Sequence, residues 1–290
     1  MNSNKASLLL LGAALFWGFS FVFQSISSSL IGSFTFNCLR FALGGLALIP
    51  VIMILQKKGI VDKSKLKISL IGGVCCGLAI SAASVVQQIG IGLTSAGKGG
   101  FLTALYIIIV PFLSILLGKK LSKSVIIAAF FALIGLYFIS IKEDFSLKKG
   151  DIYLIICAFL FAVHILIIDH FNAKNADGTI LSCVQFFVAS ILTFPGMLLE
   201  HPEITLIKQA LIPILYAGIM SCAVAYTFQI IGQKYVSATK SSIILSLESV
   251  FSALGGALIL SERLTGRELF GCALVFLGVI LAQYPQKSST

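Results

Sequence analysis

Charge is what this chain has least of. Only 11% of its 290 residues are Asp, Glu, Lys or Arg while 58% are hydrophobic, and the mean hydropathy is +1.04; ordinary soluble domains carry about a quarter charged residues. No soluble core could hide so much apolar side chain, so a water-soluble domain is excluded. Histidine is scarce as well: His164, His170 and His201 are the three present, and none stands in an HExxH pair. There is no GxGxxG after a strand and no GxSxG turn, and GKGG at Gly97 to Gly100 lacks the context of a phosphate loop. An enzyme is therefore not expected, and no cofactor or metal is implied. The seven cysteines all lie inside apolar runs, where a thiol behaves as a small hydrophobe, so neither a disulfide framework nor a zinc site is expected.

What the chain has in abundance is apolar runs of about 20 residues, the length that crosses the roughly 30 Å hydrocarbon layer of a bilayer. Ten such spans are predicted, at 7–26, 34–55, 68–91, 95–117, 124–141, 151–170, 178–199, 208–231, 238–260 and 267–284. The first resembles a signal peptide but is too long for an h-region and lacks a small-x-small cleavage site, so it is expected to be retained. The formal net charge is +10, but the Lys and Arg residues sit in short loops between the runs. That distribution sets topology and argues against a nucleic-acid groove.

The runs are not independent of one another. QQIGIGLTSAGKGGFLTALYIIIVPFLSILLGKKLS at Gln87 to Ser122 echoes QIIGQKYVSATKSSIILSLESVFSALGGALILSERLT at Gln229 to Thr265, placing Gln87 on Gln229, Gly90 on Gly232, Ser95 on Ser237, Lys98 on Lys240 and Tyr106 on Glu248. NCLRF at Asn37 to Phe41 lies over SCVQF at Ser182 to Phe186, and ALIGLYFI from Ala132 matches VFLGVILA from Val275. The chain reads as two repeats, 1–146 and 147–290, divided within the polar stretch Lys142 to Asp151. Five spans per repeat is an odd number, so the second repeat enters the membrane from the opposite face and the topology is inverted. The expected fold is an all-α membrane protein of ten transmembrane helices, built as two inverted five-helix repeats around a central cavity. Lys and Arg number twelve on the side of the N-terminus and six on the other, which puts both termini in the cytoplasm.

Polar groups at membrane depth are costly and mark cavities or partners. On span 9, Ser237, Lys240, Ser241, Ile244, Glu248 and Ser252 share one helical face; the matching face of span 4 carries Ser95, Lys98, Gly99, Leu102 and Tyr106. Lys98 and Lys240 fall near opposite mouths of the expected cavity, as gates or substrate contacts, or else as interface-snorkelling side chains. Glu248 is either a substrate or proton site or a structural carboxylate. Span 1 places Trp17, Ser20 and Gln24 on one face, and span 6 offers Phe161 and His164 at matching positions. Spans 3 and 8 add Ser84 and Gln88, then Tyr226, Gln229 and Gln233, long amides that line a cavity or bond another helix. Asn37 and Arg40, near the outer end of span 2, are expected to snorkel or to support the fold. Pro111 is expected to bend span 4 near its middle, with the Gly pair of Ser252 to Gly256 as its counterpart in span 9.

These residues resemble the EamA-type members of the drug/metabolite transporter superfamily over essentially the whole chain. The carriers are LFWGFSF in span 1, NCLRF in span 2, SAGKGGFLTALYIIIVP through span 4 and, most specific, LESVFSALGGALILSERLTGRELFGCALVFLGVIL at the end. Ser249 stands where the family has proline, Ser261 where it has glycine, and Lys119 where the first repeat would have the glutamate that matches Glu262. Without that proline, the sharpness of the bend in span 9 is open. The resemblance implies a secondary transporter of the inner membrane, an exporter of amino acids or similar small metabolites, working by alternating access as one half-bundle rocks on the other. It also implies that Glu248 and Glu262 serve the common architecture more than substrate choice. A flippase for a lipid-linked substrate is the alternative within the family. A non-transport protein such as an acyltransferase is disfavoured, because His164 and Asp169 lie on different faces of one helix. Proton coupling and pairing into a homodimer stay open.

Overall fold

The computed structural model describes residues 1–60, 62–94, 96–140, 148–261 and 263–283, and every regular element among them is helical. The first five spans are α1 (Ser3–Ser28), α2 (Ser33–Lys57), α3 (Leu66–Gly92), the broken pair α4 (Ala96–Ala104) and α5 (Tyr106–Leu116), and α6 (Lys123–Ser140). The second five begin with α7 (Lys149–Ala173) and α8 (Gly178–Leu199), and a short helix, α9 (Ile204–Gln209), precedes the eighth span. That span joins α10 (Leu211–Tyr216), a π-helical stretch (Ala217–Tyr226) and α11 (Thr227–Gln233). The last two are the broken pair α12 (Ala238–Leu245) and α13 (Glu248–Ile259), then α14 (Gly266–Gln283). Among the described residues nine helical segments are long and apolar enough to cross a membrane, and α6 is the shorter tenth. Asn4, Ser7 and Leu8 of α1 share a groove with Ile280 and Gln283 of α14. The two ends of the bundle's path thus lie at the same face, as an even number of crossings requires.

Helix ends are closed by side chains. Asp177 accepts from the backbone N–H groups of Thr179 and Ile180 at the start of α8. The start of α2 is capped by the carboxylate of Glu200, which accepts from the N–H groups of Phe34 and Thr35 at 2.9 and 2.8 Å and from the Thr35 hydroxyl at 2.6 Å. An anion there also meets the positive end of the helix dipole. That cap comes from the end of α8, so it ties the second span of one repeat to the second span of the other.

The pairing of helices obeys a pseudo-two-fold relation, most plainly where α6 lies along α14. A Cβ on Gly135 would sit 2.5 Å from the carbonyl oxygen of Gly271, and one on Gly278 would sit 2.7 Å from that of Ala128. Gly278 follows Gly135 by the repeat offset of 143, and Gly271 follows Ala128 by the same 143, so each contact is the symmetry mate of the other. Small residues let the backbones approach because lipid-embedded helices associate by packing rather than by a hydrophobic driving force.

The dominant contacts of each repeat are with the other repeat: α2 with α8, α3 with α7 and α8, α1 with α13 and the eighth span, α6 with α14. The two sequence halves therefore interleave, and neither forms a self-contained bundle that could rock as a body on the other. The bends also differ from expectation. Pro111 lies inside an unbroken α5, and the interruption comes at Leu105, where the chain tightens to an i to i+3 bond from the Leu105 N–H to the Leu102 carbonyl. Span 9 is interrupted at Ser246 and Leu247 rather than at its Gly pair, with the same tightening from Leu247 to Ile244. Leu105 and Leu247 are 142 residues apart, so the two breaks are equivalent. Around the second, Ser242 and Ser246 donate their hydroxyls to the carbonyls three residues back, at 2.8 and 2.7 Å, a habit that bends helices. Span 9 thus breaks without the family's proline, and Ser249 in its place donates to the Gly100 carbonyl of α4 at 3.0 Å.

Candidate functional site

Both helix breaks border one central cavity. Its walls come from α1 (Trp17, Ser20, Phe21, Gln24), α2 (Arg40), α3 (Gln87), α4 and α5 (Thr103, Tyr106), α7 (Phe161, His164, Ile165), the eighth span (Ser221, Tyr226, Gln229), and α12 and α13 (Leu245, Glu248). About 30 Å³ is open to the centres of water molecules, room for about two of them. A metabolite-sized solute requires the walls to part.

Its wall includes a contact between residues equivalent in the two repeats. Tyr106 and Glu248, equivalent in the two repeats, are each the first residue after a helix break, and the Tyr106 hydroxyl donates to Glu248 Oε1 at 2.8 Å. Glu248 is buried in the first turn of α13, where the helix dipole favours a carboxylate. Also on the wall, the Trp17 indole donates to the Ser221 carbonyl at 3.2 Å, inside the π-helical stretch. Such wide turns are rare and recur at functional sites. Tyr226 closes that stretch and packs its ring 4.5 Å from Trp17 and 5.8 Å from His164. His164 Nε2 pairs with Gln185 Oε1 at 3.0 Å, and its Nδ1 is buried without a partner among the described residues. Gln24 Oε1 and Gln229 Oε1 are likewise buried and unpartnered. Polar atoms in that condition are uncommon inside proteins and call for a role.

Of the residues singled out in the sequence, the cavity collects Trp17, Ser20, Gln24, Tyr106, His164, Tyr226, Gln229 and Glu248. Gln88 is not among its walls: its amide donates to the Gln24 carbonyl at 3.0 Å and to the Ser27 hydroxyl at 3.2 Å, pinning α3 to α1. Its neighbour Gln87 lines the cavity instead, 3.4 Å from the Thr103 hydroxyl. The repeat alignment, which sets Gln87 on Gln229, was the signal for it. Gln233 donates to the Ile165 carbonyl at 3.1 Å and Ser241 to that of Val236 at 3.2 Å, so both serve the scaffold. Ser95 and Glu262 lie outside the described residues.

Of the two expectations for Arg40, snorkelling is not met: Arg40 is 2% exposed and faces the cavity, with its guanidinium carbon 5.3 and 4.9 Å from the ring centres of Phe36 and Phe41. It lies seven residues inside α2, about 10 Å along the axis, a depth that could have been read from the sequence. Asn37 positions it, accepting from Arg40 Nε at 3.0 Å while donating to the carbonyls of Ser33 and Ser84.

The two lysines differ. Lys98 Nζ meets Asp151 Oδ2 at 2.6 Å, joining the start of α4 to the start of α7; Asp151 is fully buried and also accepts from the Lys148 N–H at 2.8 Å. Lys240, its counterpart at the start of α12, is half-buried and forms no ion pair with a described carboxylate. At the far end of the same two spans Lys119 pairs with Asp169, so α7 is stapled to the α4–α5 span at both faces. Among the described residues no group of three or more metal-ligating side chains comes together.

The comparisons agree with this architecture. A protein of Archaeoglobus fulgidus described as an uncharacterized transporter is 30% identical over 277 residues, covering 95% of this chain and 85% of its own. The uncharacterized transporter YoaV of Bacillus subtilis is 23% identical over 285 residues, 96% of each chain. A crystal structure superposes with a TM-score of 0.79 over 97% of this chain and 96% of its own at 18% identity, a likeness of fold. The sequence model of the EamA-like transporter family matches twice, over residues 4–141 and 148–284. With both matches together spanning nearly all of its length, the chain belongs to the EamA-like transporter family.

Proposed function

We propose that the central cavity carries a small polar or amphipathic metabolite, such as an amino acid, across the cell membrane by alternating access, in the export direction. One observation carries the reading: equivalent helices of the two repeats break at the same place, and the residues after the breaks, Tyr106 and Glu248, meet at the wall of one central cavity. Broken helices at the bilayer midplane are the usual substrate-binding device of inverted-repeat transporters. Because the repeats interleave, the moving bodies would be mixed sets of helices, with α7 and the stapled α4–α5 span as one of them. Trp17, Ser20, Gln24, Tyr106, His164, Tyr226, Gln229 and Glu248 would meet the solute. The test is counterflow in proteoliposomes with a panel of amino acids and small metabolites. Exchange of at least one class is expected, and no exchange of any would defeat the reading.

The ion pair of Lys98 with Asp151 would hold one mouth shut. Asp151→Asn keeps the acceptor for the Lys148 N–H but loses the charge. It is expected to raise the population open on that side by about tenfold, ~1.4 kcal/mol. The measurement is labelling of a cysteine placed at position 103, with the native cysteines replaced, by an impermeant maleimide from each side of oriented liposomes. Equal labelling of the variant and the parent would remove the gate.

A second reading has its own observation. A groove of about 360 Å³ opens between α1, α12 and α14, with apolar walls, polar Asn4, Ser7 and Gln283 among its lining residues, and Leu247 of the span 9 break among them as well. Such a lateral groove suits a lipid-linked substrate. Transbilayer movement of a lipid-linked reporter, without solute counterflow, would favour it.

A further inference from the structure

Another concavity lies outside the central cavity, where α3 begins and α7 ends. Two crossings lead from the start of α1 to the start of α3 and six to the end of α7, so both points share the face of the N-terminus. That face holds twelve of the Lys and Arg residues and is the one expected to be cytoplasmic. The groove measures about 450 Å³ and is lined by Ser64, Lys65, Lys67, Ile68, Ile71 and Lys174. Three cations from two separate segments converge there, one of them from the second repeat, and no carboxylate is among the lining residues.

Lys65, Lys67 and Lys174 form no ion pair with a described carboxylate. The two acids adjoining in sequence are committed to the backbone: Asp62 accepts from the Ser64 N–H at 2.9 Å, and Asp177 accepts from the N–H groups that start α8. Like charges gathered in one groove repel each other, and a bound anion reverses the sign of that energy. The two sides of the groove are tied together. The Ser69 hydroxyl accepts from the Asp177 N–H at 2.8 Å and donates to the Lys65 carbonyl at 2.8 Å. Gly72 lets the Phe171 ring close on α3, where a Cβ would lie 2.9 Å from it, and the Lys174 ammonium sits 5.8 Å from the centre of that ring. Polarity changes along the groove: Ile68 and Ile71 lie about 4.5 and 9 Å further along the α3 axis than Lys65. Ile71 is 45% exposed, on the outer face that α3 shares with Leu70, Val74 and Leu78. A cationic head at the water interface that leads into an apolar slot has the order of a phospholipid molecule.

We propose that this groove is a binding site for an anionic phospholipid of the leaflet on the N-terminal side, its phosphate held by Lys65, Lys67 and Lys174 and its acyl chain lying along Ile68 and Ile71. Positive charge that only fixes topology needs neither the convergence of two helices nor an apolar continuation. The lipid bridges α3 of the first repeat and α7 of the second, outside the central cavity. The site stands independently of what that cavity carries.

The experiment is native mass spectrometry of the intact chain, delipidated in a neutral detergent and titrated with dioleoyl phosphatidylglycerol, dioleoyl phosphatidylcholine or glycerol phosphate. Phosphatidylglycerol is expected to bind at least about tenfold more tightly than either of the others, because phosphatidylcholine lacks the net charge and glycerol phosphate lacks the acyl chains. Lys65→Gln, Lys67→Gln and Lys174→Gln together are expected to abolish that preference. Lys5→Gln, Lys120→Gln and Lys123→Gln remove the same charge from exposed lysines outside the groove at the same face, and are expected to leave it within about twofold. Phosphatidylcholine binding as tightly as phosphatidylglycerol to the wild type would overturn the proposal, whether or not the variants fold. So would glycerol phosphate binding as tightly, which would make the ligand a soluble anion. A groove variant that keeps the preference, or a control that loses as much as the groove variant, would overturn it as well.

Discussion

Glu248→Gln is expected to cut transport by about tenfold to a hundredfold while leaving the amount of folded protein in the membrane within about twofold. The reasoning starts from shape. Gln has nearly the volume of Glu and keeps a carbonyl oxygen where Tyr106 donates its hydroxyl at 2.8 Å, so the packing of α13 on α1 and α4 is preserved. What disappears is the carboxyl group that would meet the solute. A buried polar group left without its partner costs about 1–3 kcal/mol, which at ~1.4 kcal/mol per decade spans the stated range. Glu248→Ala is the contrasting variant. It leaves the Tyr106 hydroxyl buried and unpaired at a cost of about 1–3 kcal/mol and opens a void, so it is expected to lower folded yield as well. Radiolabelled exchange normalised to protein recovered as a single species by size exclusion separates the two. If Glu248→Gln loses exchange only in proportion to recovered protein, the carboxylate is structural.

Gly18→Ala is expected to be a strongly damaging one-carbon change where α1 packs on α13, next to the cavity. A Cβ on Gly18 would lie 2.3 Å from the Phe251 Cβ and 2.7 Å from the Glu248 carbonyl oxygen. Real Cβ atoms do not approach so closely, and the obstacles are main-chain atoms or the root of a side chain, so α1 and α13 must separate. Overpacking a tight interior costs typically about 1–3 kcal/mol, and here the displaced segment is the turn that carries Glu248. Thermal unfolding in detergent should show a clear drop in midpoint, and exchange should fall further than folded protein does. Gly100→Ala is the control. Its Cβ would meet Ser249 and Ser252 at 3.7 Å, ordinary contact, and near-parental stability is expected. Equal stability of the two variants would mean that the close approach of α1 to α13 is not what holds the break in place.

Much of the architecture was legible because it is written locally. Hydrophobic length gives a crossing whatever the neighbours, the Gln87 and Gln229 echo gives the duplication, and the odd count of five gives the inversion. Polar residues placed in otherwise apolar runs pointed to Trp17, Gln24, His164, Tyr106 and Glu248, since depth alone makes such groups costly. Sequence spacing went wrong where the answer depends on a partner. Gln87 and Gln88 are adjacent and chemically identical; which of them reaches the cavity is settled by the rotation of α3 against α1. Pro111 is an intrinsic helix breaker, yet the break falls at Leu105, where α4 and α5 meet the equivalent break in span 9.

By itself, then, the order of residues determined the membrane class, the ten apolar spans in two repeats, the family and the identity of most polar side chains in the interior. Tertiary structure alone decided that the repeats interleave, that Arg40 turns inward, that Lys98 finds Asp151 across two spans, and that Tyr106 touches Glu248. The physical reason is the solvent. In water an amphipathic stripe reports which face of a helix is buried, but in a bilayer the lipid and the protein interior are both apolar, so helix rotation leaves little trace in the pattern and is fixed only when glycines, serines and buried charges find their partners.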